Sequence, residues 1–262
     1  DGATGIALTK ETATGKYPLE TVNMLLALIK QVEELGLDEN STKEEIIKKI
    51  IEKDYFDDHK IPSLLISPHG GKLISRVLKN IPNEQELSQM KKLVVDEEVI
   101  MDAEQISVGA FSPLEGFMNK NDFDSVLNNM RLSNGIVWPL PIILQVDEKI
   151  LKNFSSGEKI LLVYEKDNLS YAIMEIEEIY KIDKEEVVKK WFDTTSLEHP
   201  GVNKIINSGD YLIGGKINLI KRRESPYKLY ELTPSQTRRI FSERGWKNVV
   251  GFHTRNAIHR SH

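Results

Sequence analysis

The sequence predicts an α+β protein in which a mainly β, barrel-like domain with helical insertions is followed by the opening strand, loop and helix of an α/β domain. Three observations predict it. From Ile61 to about Ser225 the chain is made of short apolar runs broken by Gly, Pro, Asn and Asp. Within that stretch 142–146, 160–164 and 171–180 have the length and β-branched or aromatic content of strands, the last two joined through Glu165 to Ser170 as a hairpin. After Tyr230 the texture changes to a capped helix, an apolar run and a polar loop, the order that starts an α/β unit.

Taken in chain order, Pro18 opens a segment whose apolar residues Val22, Leu25, Leu26, Ile29 and Val32 keep helical spacing until Gly36. Ser41 and Glu44 form a capping box ahead of Ile46, Ile47, Ile50 and Ile51. Residues 36–60 therefore read as a linker with one helix, between a first unit at 1–35 and a domain at 61–225. Inside that domain helices are expected at Gly71 to Leu78 and Lys120 to Asn128. The last unit, 226–262, starts with Thr233 as N-cap, Pro234 in the first helical position, Gln236 closing a capping box and Gly245 as the stop. Trp246 to Phe252 then reads as a buried strand. The chain does not begin with Met and reaches His262 where a helix is starting, so both ends are expected to be cut.

Composition limits the chemistry. Hydrophobic residues at 40% and charged residues at 29% are ordinary for a globular protein. No run approaches the roughly 18 apolar residues of a membrane span, so no membrane partner is expected. The absence of cysteine excludes disulfides, thiolate zinc sites and cysteine nucleophiles, and nothing at the N-terminus resembles a signal peptide; a cytoplasmic location is expected. The net charge of -5 is uneven: Lys221 to His262 holds ten Lys/Arg against three acids, +7, leaving -12 elsewhere. That concentration suits a small anion or a polyphosphate. It is also what a solvated basic surface looks like.

The loop after the last expected strand reads His253-Thr254-Arg255-Asn256 and continues to His259 and His262. In an open α/β sheet ligands sit at the carboxyl ends of strands, and the following helix offers unpaired N–H groups to phosphate. Asn256 can cap that helix, which puts His259 and His262 on one face. Arg255 suits a tetrahedral oxyanion because its guanidinium can hold two oxygens. Alone, the His-x-x-His spacing is weak; it also occurs as a metal pair or as surface and capping residues.

The run from Tyr230 to His262 resembles the entry to the catalytic domain of ATP sulfurylase. Pro68-His-Gly-Gly71, Gly109-Ala-Phe-Ser-Pro-Leu-Glu-Gly-Phe-Met118, His199-Pro-Gly-Val202 and Tyr211-Leu-Ile-Gly-Gly-Lys216 are similar to motifs of the same family in the same order. The resemblance covers about 200 residues. It implies a PUA-like domain at 61–225, the truncated start of a nucleotidyltransferase domain at 226–262, and transfer of AMP from Mg-ATP to sulfate, giving adenosine 5′-phosphosulfate and pyrophosphate. It implies that Arg255 binds sulfate, that Thr254 and Asn256 position substrate and nucleotide, and that His259 and His262 contact the phosphates. His253 stands where many relatives have glutamine and can still donate to sulfate; Asp193 stands where glycine is usual. The glycines of the other motifs, with His69 and His199, are read as structural. Residues 1–35, through Asp1-Gly2, Glu11-Thr12-Ala13 and Gly15-Lys16-Tyr17-Pro18, resemble the last strand and helix of the pyruvate kinase barrel, a remnant too short to close a barrel.

The expected partners are ATP with magnesium, and sulfate, in a homo-oligomeric full-length protein; this portion by itself is expected to be inactive. An RNA-binding PUA-like module is the alternative, against which the acidic balance before residue 221 argues. A regulatory pyruvate kinase-like fusion is a third reading.

Overall fold

A computed structural model describes residues 41–42, 66–252 and 254. The chain divides into two compact units, Asp1–Ile61 with Tyr227–Leu232, and Pro62–Pro226 with Thr233–His262. The helix expected after Pro18, and Glu44 of the capping box expected at Ser41, lie outside the described residues.

The second unit is organised by one sheet. Its strands are β1 (Lys91–Val95), β2 (Gly116–Phe117), β3 (Gln145–Val146), β4 (Lys159–Tyr164), β5 (Ser170–Lys181) and β6 (Tyr211–Leu219), in the order β1-β4-β5-β6-β2, with β3 also on β6. The β1–β4 pair is parallel and the rest are antiparallel. Residues Ile160 to Tyr164 of β4 are all buried because they alternate between two apolar faces. Ile160, Leu162 and Tyr164 enter the main core, whereas Leu161 and Val163 join Ile173 and Ile220 in a small second core on the opposite face. A continuous apolar run is the signature of a strand covered on both sides. The expected hairpin forms: Asn168 takes the left-handed conformation (φ 59), and Tyr164 N–H donates to Leu169 O at 3.0 Å.

The second edge of β6 is shared by three short partners. β3 takes its start, β2 its middle, and residue 77 its end through a parallel bridge to Leu219. This explains two departures from the sequence reading. Residues 71–78 are not helical: Gly70 and Gly71 both have positive φ, and the chain beyond the 3-10 turn at His69–Gly71 runs extended, with Leu78 N–H donating to Leu219 O at 2.9 Å. Along 142–146 the alternation of buried Ile142, Leu144 and Val146 is as expected, but only Gln145 and Val146 pair as a strand.

Where β2 meets β6 the backbones approach too closely for a side chain. A Cβ on Gly116 would lie 1.8 Å from Gly215 O. Gly116→Ala must therefore push β2 off its partner, and an overpacking cost of about 1–3 kcal/mol is expected, read as a lower unfolding midpoint. A midpoint equal to the unaltered chain's would mean that β2 is free to shift.

Helices cover the sheet. They are α1 (Glu84–Ser88), α2 (Glu97–Ser107), α3 (Lys120–Asn129), α4 (Glu148–Leu151), α5 (Lys184–Phe192), α6 (Pro200–Asn207) and α7 (Pro234–Glu243) among the described residues. Only α3 and α7 were expected, although α2 carries a readable signature. Asp96 caps it by accepting from Val99 N–H at 3.0 Å, and Ile100, Ala103 and Ile106 form its buried stripe. Asp193, at the end of α5, adopts the left-handed conformation (φ 54) that glycine would supply, and its N–H donates to Lys189 O.

Asp102, on the half-buried flank of α2, has its pKa raised to about 6, first by burial and then by Glu98 and Asp96, with Lys204 opposing. A raised carboxyl pKa adds stability below the ordinary carboxylate range, and that stability is lost as pH rises through about 6. Asp102→Asn is therefore expected to stabilise the fold by about 1–2 kcal/mol at pH 8, discounted for solvent access, and to make no difference near pH 4. Urea unfolding at the two pH values checks it. A gain equal at both would assign the effect to packing rather than charge.

Candidate functional site

The chain reaches the expected site through α7. Thr233 Oγ1 accepts from Gln236 N–H at 3.3 Å while Gln236 Oε1 accepts from Thr233 N–H at 2.8 Å, the reciprocal box read from the sequence, and both residues are buried. The helix ends as its glycine demands. Gly245 is left-handed (φ 65), Gly245 N–H donates to Ser242 O at 3.0 Å and Trp246 N–H to Phe241 O at 2.9 Å, which is the Schellman pattern. The accompanying apolar contact is aromatic: Phe241 and Trp246 stack with centroids 5.8 Å apart, and the Arg244 guanidinium lies 5.1 Å from the Trp246 ring. Arg238 Nη2 donates to Ile66 O at 2.7 Å and ties the helix to the start of the described domain.

Beyond Trp246 the structure corrects the sequence. Residues 246–252 are neither a strand nor buried; Val250 is 92% and Phe252 65% exposed. A strand is completed by its neighbour, and none of the six strands among the described residues pairs with this run. Its apolar side chains are thus largely exposed, with Val250 the most so. Thr254 is half-buried and the only expected site residue among those described. His253, Arg255, Asn256, His259 and His262, and the helix expected from Asn256, lie outside them.

Much of the basic run is committed elsewhere. Arg222 Nε donates to Glu104 Oε1 at 2.7 Å, Arg223 Nη1 pairs with Glu97 Oε1 at 2.9 Å, and Arg239 Nε pairs with Glu243 Oε1 at 2.7 Å. Lys228 lies 3.6 Å from Glu231, and Lys221 Nζ sits 4.6 Å from the Tyr171 ring centre. Lys166 holds the exposed Glu97 carboxyl below its usual range, with Arg223 adding to the effect. Four of the cations that the sequence concentrates after residue 220, Arg222, Arg223, Lys228 and Arg239, are therefore paired with carboxylates of α2 or of neighbouring side chains. Among the described residues no group of three or more His, Asp or Glu side chains is placed to hold a metal ion. None of the helices among them is long and apolar enough to cross a membrane.

The remaining sequence motifs build the scaffold. Ile74 N–H donates to Ser112 Oγ, which donates to Gly109 O at 2.7 Å. Arg76 joins Glu115 at 2.6 Å, Ile217 O at 2.6 Å and Asn218 Oδ1 at 3.1 Å, so the segment after the 68–71 motif is tied both to the 109–118 motif and to the end of β6 just beyond the 211–216 motif. His69 Nε2 contacts Val137 O at 2.7 Å, and His199 caps α6. Sequence reasoning missed Glu104, whose partners lie more than a hundred residues away, and Arg76, whose partners lie 39 to 142 residues away, beyond the reach of spacing.

Comparison with known proteins matches residues 66–222 to the PUA-like domain family and residues 228–262 to the ATP-sulfurylase family. The sulfate adenylyltransferase of Thermococcus onnurineus is 42% identical over 202 residues, 76% of this chain and 52% of that protein. Those of Halothermothrix orenii (39% over 202 residues) and Persephonella marina (40% over 204) each cover 76% of this chain, with 53% of their own length matched. The chain thus spans about half the length of the curated relatives it matches. A solved structure described as a hexameric APS kinase from Thiobacillus denitrificans superposes with a TM-score of 0.53 at 22% identity, over 70% of this chain and 32% of that one, a likeness of fold.

Proposed function

The chain belongs to the PUA-like domain family through residues 66–222, and from that premise we propose that it is the front portion of a sulfate adenylyltransferase, which transfers AMP from ATP to sulfate and releases pyrophosphate. The observation that carries this reading is continuity: the PUA-like match and the ATP-sulfurylase match follow one another in the chain, and relatives near 40% identity that span both bear the sulfate adenylyltransferase name. On this reading α7 and its Schellman turn deliver the chain to 253–262. There Arg255 grips sulfate through two oxygens, with His253 as an additional donor, while Thr254 and Asn256 orient sulfate and nucleotide. His259 and His262 donate to the phosphates as charge builds in the in-line displacement. Magnesium enters as part of the Mg-ATP substrate. We place the protein in the cytoplasm, as a homo-oligomer, with no nucleic-acid partner, in keeping with the acidic balance before residue 221.

We also propose the boundaries 1–35, 36–60, 61–225 and 226–262, with the first a pyruvate kinase-like remnant. Since about half the relatives' length lies outside this chain, it is expected to be inactive alone. The test is a chimera joining residues 66–262 to the remaining half of the Thermococcus onnurineus enzyme, assayed for sulfate-dependent ATP–pyrophosphate exchange. Exchange above the sulfate-free background supports the reading. Its absence, when the same junction carrying that enzyme's own 253–262 equivalent is active, refutes it.

A further inference from the structure

A concave site lies where α2, the 140–145 segment, α5 and α6 meet. The cavity measures about 310 Å³, and aromatic and aliphatic side chains, among them Phe111, Trp191 and Phe192, form most of its wall. That volume falls at the lower end of small-molecule pockets. Trp191 and Phe192 stack on one another at 4.9 Å with their planes 9° apart, a flat apolar surface.

Its polar lining is informative because most of it is already satisfied. Lys204 Nζ pairs with Glu98, Ser208 Oγ donates to Lys204 O at 2.8 Å, and Asp96 is engaged in capping α2. Gln145 Nε2 donates both to Ile205 O at 3.0 Å and to Gly209 O at 2.6 Å, which leaves its Oε1 as the side chain's remaining hydrogen-bonding group. Asp102, also in the wall, makes neither a hydrogen bond nor an ion pair among the described residues. Apart from the Trp191 indole N–H and the further protons of Lys204, the side-chain groups left over are acceptors, and one is a carboxylate. A ligand that completes this set must donate, and in a half-buried site beside an anion it gains most by carrying positive charge.

We propose that this cavity binds a small organic cation, a primary ammonium or amidinium on a compact aromatic or aliphatic body, with Asp102 as counter-ion, Gln145 as second acceptor and the Trp191–Phe192 surface taking the apolar part. The charged groups facing Asp102 are Glu98 and Asp96 from its own helix and cap, and Lys204 from α6; with Lys204 held by Glu98, the site stays short of one cation. Binding is linked to Asp102 ionisation and weakens as pH falls through about 6.

The probe is benzylamine, with benzyl alcohol as its neutral isostere and benzoate as the anion, titrated into the 262-residue chain while the Trp191 indole N–H resonance is followed by NMR. At pH 7.5 benzylamine is expected to shift that signal saturably and to bind about tenfold more tightly than benzyl alcohol, the size of one charge-assisted hydrogen bond. Benzoate is expected not to bind. At pH 5 the benzylamine affinity falls about tenfold, as protonation of a carboxyl titrating near 6 requires, and Asp102→Asn abolishes both the preference and the pH dependence. Equal affinity for amine and alcohol, an unmoved Trp191 signal, or a preference that survives in Asp102→Asn overturns the proposal. The amine–alcohol comparison on the unaltered chain decides on its own should the variant fail to fold.

Discussion

Arg255→Ala, in the chimera that restores the relatives' length, is expected to lower sulfate-dependent ATP–pyrophosphate exchange by about 10²–10³, the range found when a donor aimed at developing negative charge is removed from a water-poor site. Sulfate is a tetrahedral dianion that must be stripped of water and held in line with the α-phosphorus. A guanidinium supplies two parallel N–H donors and a charge that never titrates near neutrality, which neither a hydroxyl nor an amide can replace. The structure adds a reason for the size of the effect. Arg222, Arg223 and Arg239, cations of the same basic run, are engaged by Glu104, Glu97 and Glu243, so they are not spare charges that could stand in. The loss should fall on both the sulfate KM and kcat, because the contact strengthens as charge develops. Arg255→Lys is expected to recover only part of it, since an ammonium is a point donor. Exchange within threefold of the unaltered chimera would remove Arg255 from the site and with it the role proposed for the loop.

The second large effect is on stability. Glu104, 6% exposed on α2, accepts from Arg222 Nε at 2.7 Å and from Arg223 N–H at 2.8 Å, and so pins the chain where it leaves β6. Glu104→Ala leaves the Arg222 guanidinium, itself largely covered, without its carboxylate. Breaking such a pair from one side typically costs about 3–5 kcal/mol, because the surviving charge stays desolvated. For a domain of this size that corresponds to a drop of about 10 °C in Tm. Replacing both partners, Glu104→Leu with Arg222→Leu, is expected to return most of the loss, with a remainder of about 1 kcal/mol from the orphaned Arg223 N–H. Thermal and urea unfolding of the three chains measures this. A single variant that loses under 1 kcal/mol would show that water reaches the pair, and a double variant no better than the single would place the effect in packing.

How much was legible depended on how local each signal was. The α7 cap and stop were readable to the residue because Thr233, Gln236 and Gly245 act on backbone groups within a few positions of themselves. The β4–β5 hairpin was readable for the same reason. Residues 71–78 were not, since their apolar content suits a helix, while the outcome was decided by two glycines of positive φ and by the free edge of β6 at Leu219. The run 246–252 has strand composition, but composition cannot supply a neighbouring strand. Of the candidate site, residue types and order were legible, and the described structure brings the chain to its threshold at Thr254.

The sequence by itself determined the family resemblance, the elements whose hydrogen bonds close within a few residues, and the identity of the side chains offered to an anion. Only the tertiary structure decided that Arg222 and Arg223 of the basic run pair with α2, that Arg76 joins the segments at Glu115 and Ile217–Asn218, and that Asp102 has no hydrogen-bond or ion-pair partner among the described residues of an aromatic cavity. The physical reason is distance along the chain. Propensity and capping act through neighbours in sequence, whereas charge pairing, burial and cavities depend on which distant segments the sheet brings together.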